Sequence, residues 1–289
     1  MSFFDSFSQK HLVFDGGMGT MLQAAGLPAG ASPDVWNITN PDAVRAVHAA
    51  YLSAGANVIT SNTFGSTTPR QKRGAYKPAE LAAAGVRIVK EAIAASGKTA
   101  YAALDVGPLG EFLEPLGDLT EEEATAYFRE EIEAGVAAGA DCVLIETMSA
   151  LDEALVCIKA AKEFGAGLPV LCTLTYSAAG RLMTGETIET VVAALEEAGV
   201  DALGCNCGVG PEQLVALLPR FVACATKPLI MQPNAGLPEY QDGQTVYLVG
   251  PESFAGEMKK LAQGGVWGLG GCCGTTPEHI ARVADIAAE

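Results

Sequence analysis

Eight short apolar runs, each followed by a segment of helical periodicity, constrain the fold of this chain more than any other feature. The runs are rich in β-branched and small residues, and the segments between them are rich in alanine. In chain order the runs are HLVFDGG, NVITSNT, TAYAALDVG, CVLIETM, PVLCTLTY, DALGCNCG, PLIMQPNA and VWGLGGCCG. The predicted helices that follow begin at Pro41, Pro78, Thr120, Ala150, Glu186, Pro211, Pro251 and Pro277. Strands that are apolar throughout and alternate with helices predict a parallel sheet covered by helices.

The number of strand–helix units predicts how that sheet closes. Eight units in 289 residues are typical of a (β/α)8 TIM barrel, which usually has ~250 residues. A doubly wound open sheet is the alternative, but it gives no reason for a count of eight. No low-complexity linker or charge block divides the chain. We therefore expect a single barrel domain over residues 1–289, in which residues 1–10 form a short N-terminal arm.

Charge and composition exclude several classes of partner. The net charge of −16, from 34 acidic and 18 basic residues, repels phosphate backbones and argues against a nucleic-acid partner. No apolar window is long enough to predict a membrane span. The N-terminus has no secretory signal pattern, and the spacing of the eight cysteines does not suggest a disulfide framework. These features predict a cytoplasmic protein.

Polar and special residues collect where the predicted strands end. The C-terminal ends of barrel strands meet at one rim, which is where barrel enzymes place their active sites. These residues are far apart in sequence, and we expect them to share that rim. They are Asp15, Asn62, Asp105, Glu146, Tyr176, Cys207, Asn234 and the pair Cys272–Cys273.

The cysteines at this rim predict a metal site. Cys205 and Cys207 share the parity of one strand, so spacing alone lets either be a ligand, although Cys207 is nearer the rim. With the glycine-flanked pair Cys272 and Cys273, Cys207 gives three thiolates and leaves a fourth position free. That pattern is typical of a zinc site that admits a substrate. The alternative is that these cysteines are small buried hydrophobic residues.

Two further features could bind a small charged substrate. The glycine-rich turn FDGGMGTML follows the first predicted strand, and its backbone N–H groups could bind a carboxylate or another small anion. It could equally be a tight turn from strand to helix. Glu146 ends the fourth run, where its carboxylate could hold a substrate ammonium group or serve as a structural acid.

Taken together, the motifs DGGMGT, SNTFGST, LIETM, GCNCGVG, MQPNAG and GGCCGTTPEHI closely resemble the homocysteine S-methyltransferase family. The resemblance runs from about residue 10 to the end of the chain, with the motifs in the family's order. GGCCGTTPEHI and PDVWNITNPDAV are most similar to the homocysteine-binding module of cobalamin-dependent methionine synthase. The family has a (β/α)8 barrel, in agreement with the fold predicted above.

The resemblance implies a set of metal ligands. It assigns Cys207, Cys272 and Cys273 to a catalytic zinc site and leaves Cys205 as a thiol of the barrel. It places Asn234 near the metal, in the open position when substrate is absent. Zinc deprotonates a coordinated thiol, so the resemblance implies that homocysteine is bound as a thiolate.

The resemblance also implies substrate contacts. The turn that contains Gly17 would present the backbone amides of Met18 and Gly19 to the substrate carboxylate, and Asp15 would organise this turn. Glu146 would bind the substrate ammonium group. Homocysteine is the implied methyl acceptor and methionine the product.

The methyl donor is the open part of the interpretation. Methylcobalamin is the expected donor, and we expect a corrinoid-binding domain or a separate corrinoid protein as partner, because the chain ends one predicted helix after the cysteine pair. S-methylmethionine, S-adenosylmethionine and betaine are the other donors of the family. A non-catalytic zinc or homocysteine-binding module is a further alternative. An aldolase or phosphate-binding barrel is disfavoured, because no predicted strand ends in lysine.

Overall fold

Among the residues that the structure describes, the central element of the fold is a parallel sheet of eight strands. The computed structural model describes residues 3–28, 30–71, 74–241 and 244–289. Two further strands, β8 and β9, pair as an antiparallel hairpin outside this sheet. The strands are β1 (Leu12–Val13), β2 (Val58–Thr60), β3 (Tyr101–Val106), β4 (Cys142–Met148), β5 (Val170–Leu174), β6 (Ala202–Asn206), β7 (Leu229–Gln232), β8 (Glu239–Gln241), β9 (Gln244–Val246) and β10 (Gly268–Leu269).

The sheet closes on itself. Its strand order is β1-β10-β7-β6-β5-β4-β3-β2, and every neighbouring pair is parallel. The two end strands meet through a parallel bridge between Phe14 and Val58. The amide of Asp15 adds a 3.1 Å hydrogen bond to the Val58 carbonyl. The predicted (β/α)8 barrel is therefore confirmed, because no open edge remains between β1 and β2.

In the described part of the chain, eight long helices form the outer layer, one after each barrel strand, and shorter helices lie at the N-terminus and in the connections. The helices are α1 (Phe3–Ser6), α2 (Met18–Ala24), α3 (Trp36–Thr39), α4 (Pro41–Ser53), α5 (Thr68–Gln71), α6 (Pro78–Ser96), α7 (Glu121–Ala137), α8 (Leu151–Phe164), α9 (Ile188–Glu197), α10 (Pro211–Cys224), α11 (Pro251–Gln263) and α12 (Pro277–Ala288). Helices α4, α6, α10, α11 and α12 begin at the predicted prolines, because proline lacks only an N–H group that the first helical turn leaves unpaired.

Residues of the strands alternate between two cores. One parity packs inside the barrel in a cluster that includes Leu12, Val58 and Leu144. The other parity packs against the helices in a larger cluster that includes Val13, Ile59 and Val143. This period of two explains why the strand sequences are apolar throughout.

The N-terminal residues close one end of the barrel. Helix α1 buries Phe3 against the rings of Tyr101 and Trp267, with ring centroids 5.0 and 6.3 Å away. The ring of Phe7 stacks on Trp267 at 4.8 Å, and the Trp267 indole donates a hydrogen bond to the Ser6 carbonyl. Because aromatic side chains fill the end at which the strands begin, a ligand has access only to the end at which they finish.

The sequence did not predict the small elements in the connections. Helices α2, α3 and α5 and the hairpin β8–β9 all follow barrel strands, so they lie at the end of the barrel that carries the rim. Each is too short for hydrophobic periodicity to reveal. Within the described part of the chain, no helix is long and apolar enough to cross a membrane.

Candidate functional site

The inward-facing residues become polar where the barrel strands end. A cavity of about 520 Å³ opens at this end. Its floor includes Thr60, Asp105, Glu146 and Gln232, which come from β2, β3, β4 and β7. Deeper in the barrel, the inward-facing positions of these strands carry apolar side chains. The predicted rim residues thus line one cavity, except for Tyr176 and Asn234.

Three of the predicted ligands meet in this cavity. The sulfur atoms of Cys207, Cys272 and Cys273 all lie within 4.8 Å of one another, and the three side chains are half-buried. Cys207 follows β6, whereas Cys272 and Cys273 lie in residues 270–276 after β10, a segment that we call the cysteine loop. Within the described residues this is the one group of three or more histidine, cysteine or acidic side chains close enough to share a metal ion.

Backbone hydrogen bonds hold the two cysteine segments against β7. The amide of Cys207 donates to the carbonyl of Gln232 at 3.1 Å, and the amide of Cys272 donates to the carbonyl of Pro233 at 2.9 Å. The carbonyl of Cys273 accepts from the amide of Ala235 at 3.0 Å. The sulfur cluster is therefore positioned by the ends of three neighbouring strands rather than by a flexible loop alone.

Cys205 and Cys207 do not face the same side of β6, so the prediction from strand parity was wrong. Strand β6 ends at Asn206, and Cys207 adopts a left-handed conformation with φ 57°. This turn directs Cys207 into the cavity, while Cys205 stays in the core between the strands and the helices. The two residues face different surroundings because the rule of alternation applies only while the backbone is extended.

The three thiols cannot all ionise on their own. Hydrogen bonds from Cys272 and Cys273 lower the pKa of Cys207 to about 3. Sharing protons with that thiolate raises the pKa of Cys272 well above its usual value and that of Cys273 to about 12. The cluster is thus poised for one negative charge, and a cation is needed to hold three thiolates at neutral pH.

The first strand–helix turn packs directly on the cysteine loop. The amide of Gly17 donates to Thr275 Oγ1 at 3.1 Å, and the carbonyl of Asp15 accepts from Gly271. A Cβ atom on Gly17 would lie 2.8 Å from the carbonyl oxygen of Cys272. Only glycine permits that approach.

Helix α2 begins at this turn, on the cavity wall. Met18 and Gly19 are its first residues, and both line the cavity. The first backbone N–H groups of a helix have no partner within the helix. Asp15 lies beside them and accepts a 3.0 Å hydrogen bond from the amide of Thr60, so its side chain joins the turn to β2.

Buried carboxyl groups make the cavity floor acidic. Burial raises the pKa of Asp15 to about 7, and burial next to Cys207 and Asp15 raises the pKa of Glu146 to about 8. Burial and the charge of Glu146 raise the pKa of Asp105 well above its usual value. Asp105 Oδ1 has no hydrogen-bond partner among the described residues. A ligand with an ammonium group would donate hydrogen bonds to these buried carboxyl groups.

Asn234 lies beside the sulfur cluster. It follows β7, is buried, and its side chain donates a hydrogen bond that contributes to the low pKa of Cys207. Its Oδ1 atom is buried and has no partner among the described residues. This carbonyl oxygen is available to a ligand of the cluster.

Sequence reasoning placed Tyr176 at the rim and overlooked Tyr247. Tyr176 is buried against Phe221, with ring centroids 5.5 Å apart, and does not line the cavity. Tyr247 follows the hairpin, and its hydroxyl group hydrogen-bonds to the sulfur of Cys273. Its ring covers Gly274, where a Cβ atom would lie 2.2 Å from the ring. The glycine after the cysteine pair was the one sequence signal of this close approach.

Asn62 is at the rim as predicted, where it supports the opposite wall. Its amide donates to the carbonyl of Pro33 at 2.8 Å and to Asn37 Oδ1 at 2.9 Å. Asp34 accepts from the amide of Gly65, so residues 33–37 hold the segment after β2. Asn62 therefore shapes the cavity by fixing its neighbours.

Comparisons with known proteins match nearly the whole chain. The family model for homocysteine S-methyltransferase matches residues 12–287. Methionine synthases of Mycobacterium leprae and Mycobacterium tuberculosis are each 31% identical to the chain over 298 aligned residues and cover 97% of it. The chain spans only 24% and 25% of the length of these relatives.

Solved structures are also similar to this chain over nearly its whole length. The homocysteine methyltransferase MmuM from Escherichia coli in its metallated form is 25% identical, with a TM-score of 0.82 and coverage of 96% of both chains. Its oxidised form has a TM-score of 0.81 at 25% identity, with 98% of this chain and 97% of that chain covered.

Proposed function

Since the chain belongs to the homocysteine S-methyltransferase family, we propose that this methyltransferase uses zinc to methylate the sulfur of homocysteine, forming methionine. The observation that carries the proposal is the meeting of Cys207, Cys272 and Cys273 within 4.8 Å in the cavity. Thiol methylation needs a thiolate, because a free thiol with a pKa of ~8.5 is largely protonated at neutral pH.

The donor set fits zinc. Soft thiolate ligands select zinc over magnesium or calcium. In a tetrahedral site with Zn–S bonds of ~2.3 Å, sulfur atoms lie about 3.8 Å apart, compatible with a cluster whose sulfurs are all within 4.8 Å. The unpartnered Oδ1 of Asn234 is suited to the fourth position when no substrate is bound. Zinc held by these residues would coordinate the substrate thiol, and the coordinated thiol would lose its proton at neutral pH.

The remaining residues bind and orient the amino acid part of homocysteine. Glu146 accepts the substrate ammonium group on the acidic floor of the cavity. The backbone amides of Met18 and Gly19 at the start of α2 bind the carboxylate. Gly17 lets this turn approach the cysteine loop, and Asp15 holds the turn against β2. With both charged groups on its α-carbon held in this way, homocysteine is anchored at its amino acid end and extends its thiol toward the sulfur cluster.

For the donor we propose methylcobalamin, carried by another domain or by a separate corrinoid protein. The support is the similarity of the cysteine-loop motif to methionine synthase modules and the 31% identity to two methionine synthases. S-methylmethionine and S-adenosylmethionine are the alternative donors. They are the second donors to test, because the resemblance of the motifs to the family implies them.

The test is an anaerobic single-tube assay. Zinc-loaded protein is mixed with homocysteine and methylcobalamin, the cobalamin absorbance is followed, and methionine is measured. Demethylation that requires zinc and fails in Cys273→Ser supports the proposal. If the wild type produces no methionine, the tube is recharged with S-methylmethionine and then with S-adenosylmethionine. Turnover with either of these overturns the donor assignment alone, and binding of homocysteine without turnover by any donor overturns the methyl transfer itself.

A further inference from the structure

One buried amide joins the two halves of the site. Asn206 is the last residue of β6, and its side chain is fully buried. Its Oδ1 accepts hydrogen bonds from the amide of Thr147 and from Thr173 Oγ1, both at 2.8 Å. Its Nδ2 donates to Thr147 Oγ1 at 2.7 Å and lies 3.8 Å from the sulfur of Cys272. All the donors and acceptors of the amide are thus in use, and the backbone donor at Thr147 fixes which atom is the oxygen.

The contacts to Thr147 hold an unfavourable backbone conformation. The pairing of β4 with β5 shifts register between Ile145 and Met148, and Thr147 has φ 59°. A β-branched residue rarely adopts this left-handed conformation, and it persists only where the surroundings impose it. Asn206 imposes it here through both the amide and the hydroxyl group of Thr147. Glu146 immediately precedes Thr147 and faces the cavity by the same alternation that places Leu144 inside the barrel, so the bulge fixes the backbone directly beside this carboxyl group.

The contact to Cys272 reaches the other half of the site. A hydrogen bond to a thiolate withdraws charge from the sulfur and fixes its direction. Partners of this kind, one shell beyond the metal ligands, commonly change metal affinity or activity 10- to 100-fold. The same Nδ2 group that holds Thr147 faces this sulfur, so a movement of the amide changes both contacts at once.

We propose that Asn206 is a positioning residue that couples binding of the substrate ammonium group to metal binding, because its amide holds both the Glu146 bulge and the sulfur of Cys272. This inference rests on the proposed roles of Glu146 and of the cysteines. Asn206 touches neither the substrate nor the metal, so its effect is exerted through these neighbours. The bulge and the cysteine loop then behave as one unit.

Three variants separate this role from simple structural support. Asn206→Ala removes all of the contacts. Asn206→Asp keeps an acceptor for the Thr147 amide and for Thr173, and its second carboxylate oxygen can accept from the Thr147 hydroxyl group, but it removes the donor that faces Cys272. The matched control Thr173→Val removes one hydrogen bond from the same amide without touching Thr147 or the sulfur. Each variant is checked for a wild-type circular dichroism spectrum before use.

The readouts are equilibrium measurements that need no methyl donor. Chelator competition gives the metal affinity, calorimetry of zinc-loaded protein gives homocysteine binding, and cobalt-substituted protein gives the thiolate-to-metal absorption band. For Asn206→Ala we expect metal affinity to fall about 10- to 100-fold, together with weaker homocysteine binding. We expect Asn206→Asp to bind homocysteine nearly as the wild type does but to shift the cobalt band. Thr173→Val should match the wild type in all three.

Coupling is tested by a double-mutant cycle. The loss of homocysteine binding in Asn206→Ala and Glu146→Gln together should be smaller than the product of the single losses, because both act through one carboxyl group. The inference is overturned if the losses of binding free energy are additive in the double mutant, or if Asn206→Ala keeps wild-type affinities. It is also overturned by an unshifted cobalt band in Asn206→Asp, or if Thr173→Val loses as much affinity as Asn206→Ala. Failure of the proposed roles of the cysteines and of Glu146 differs from all of these, because then the wild type itself would not bind cobalt or homocysteine, whereas failure of methyl transfer alone would leave these binding measurements unchanged.

Discussion

Replacing Glu146 by glutamine should remove the pH dependence that this carboxyl group imposes on homocysteine binding. Burial, with the neighbouring Cys207 and Asp15, raises the pKa of Glu146 to about 8. The protonated carboxyl group therefore predominates at pH 6, and the carboxylate forms only as the pH rises through 8. Since a carboxylate binds an ammonium group far better than a neutral acid does, the affinity of the wild type should rise with pH.

The expected magnitude follows from the ionised fraction. With a pKa of about 8, about 1% of the Glu146 side chains are ionised at pH 6 and about one-half at pH 8. The affinity should then rise about 50-fold over this interval through this group. Glutamine mimics the protonated acid, so Glu146→Gln should match the wild type at pH 6 and fall behind as the pH rises. In zinc-loaded protein the cation offsets the charge of Cys207, and the midpoint should lie below 8.

Calorimetric titration of both proteins with homocysteine from pH 6 to pH 8.5 is the assay. The ratio of the two dissociation constants is the quantity to plot, because ionisation of the substrate thiol affects both proteins equally and cancels. A ratio near one at pH 6 that grows steadily with pH is expected. A ratio that stays near one across the whole range would show that Glu146 does not bind the ammonium group.

Three further outcomes follow from the structure. Cys207→Ser should abolish stoichiometric metal binding while Cys205→Ser keeps it, since only Cys207 lies in the sulfur cluster; equal metal content by atomic absorption would contradict this. Tyr247→Phe removes the hydroxyl group bonded to Cys273 and should weaken metal binding about 10-fold in chelator competition, and an unchanged affinity would refute that role. Phe3→Ala should lower the free energy of unfolding by about 3 kcal/mol in urea titrations, because Phe3 is 2% exposed at the closed end of the barrel. A loss below about 1 kcal/mol would mean that α1 is not part of the core.

The strand–helix repeat predicted the barrel because its signals are local. Apolar runs such as residues 142–148 are buried strands in the structure, and prolines such as Pro211 are the first residues of helices. The rim followed from the fold, since parallel strands of a barrel all finish at one end. The three cysteines were identified by their positions after two of these strands.

Local rules failed where the backbone leaves its regular conformation. The period of two placed Cys205 and Cys207 on one face, but Cys207 lies beyond the strand at φ 57°. Tyr176 follows a strand yet packs into the helical layer, because no residue spacing tells where a connection turns. The hairpin before Tyr247 is too short to have a periodic signal.

The sequence by itself determined the barrel, the end of it that carries the site, and the chemical types of the ligands, because these depend on periodicity and residue type. Tertiary structure alone decided how the groups meet. Asn206 touches Thr147 and Cys272, which are 59 and 66 residues away along the chain. Such contacts depend on left-handed turns such as those at Thr147 and Cys207 and on ångström distances between strands, and neither can be read from the spacing of residues.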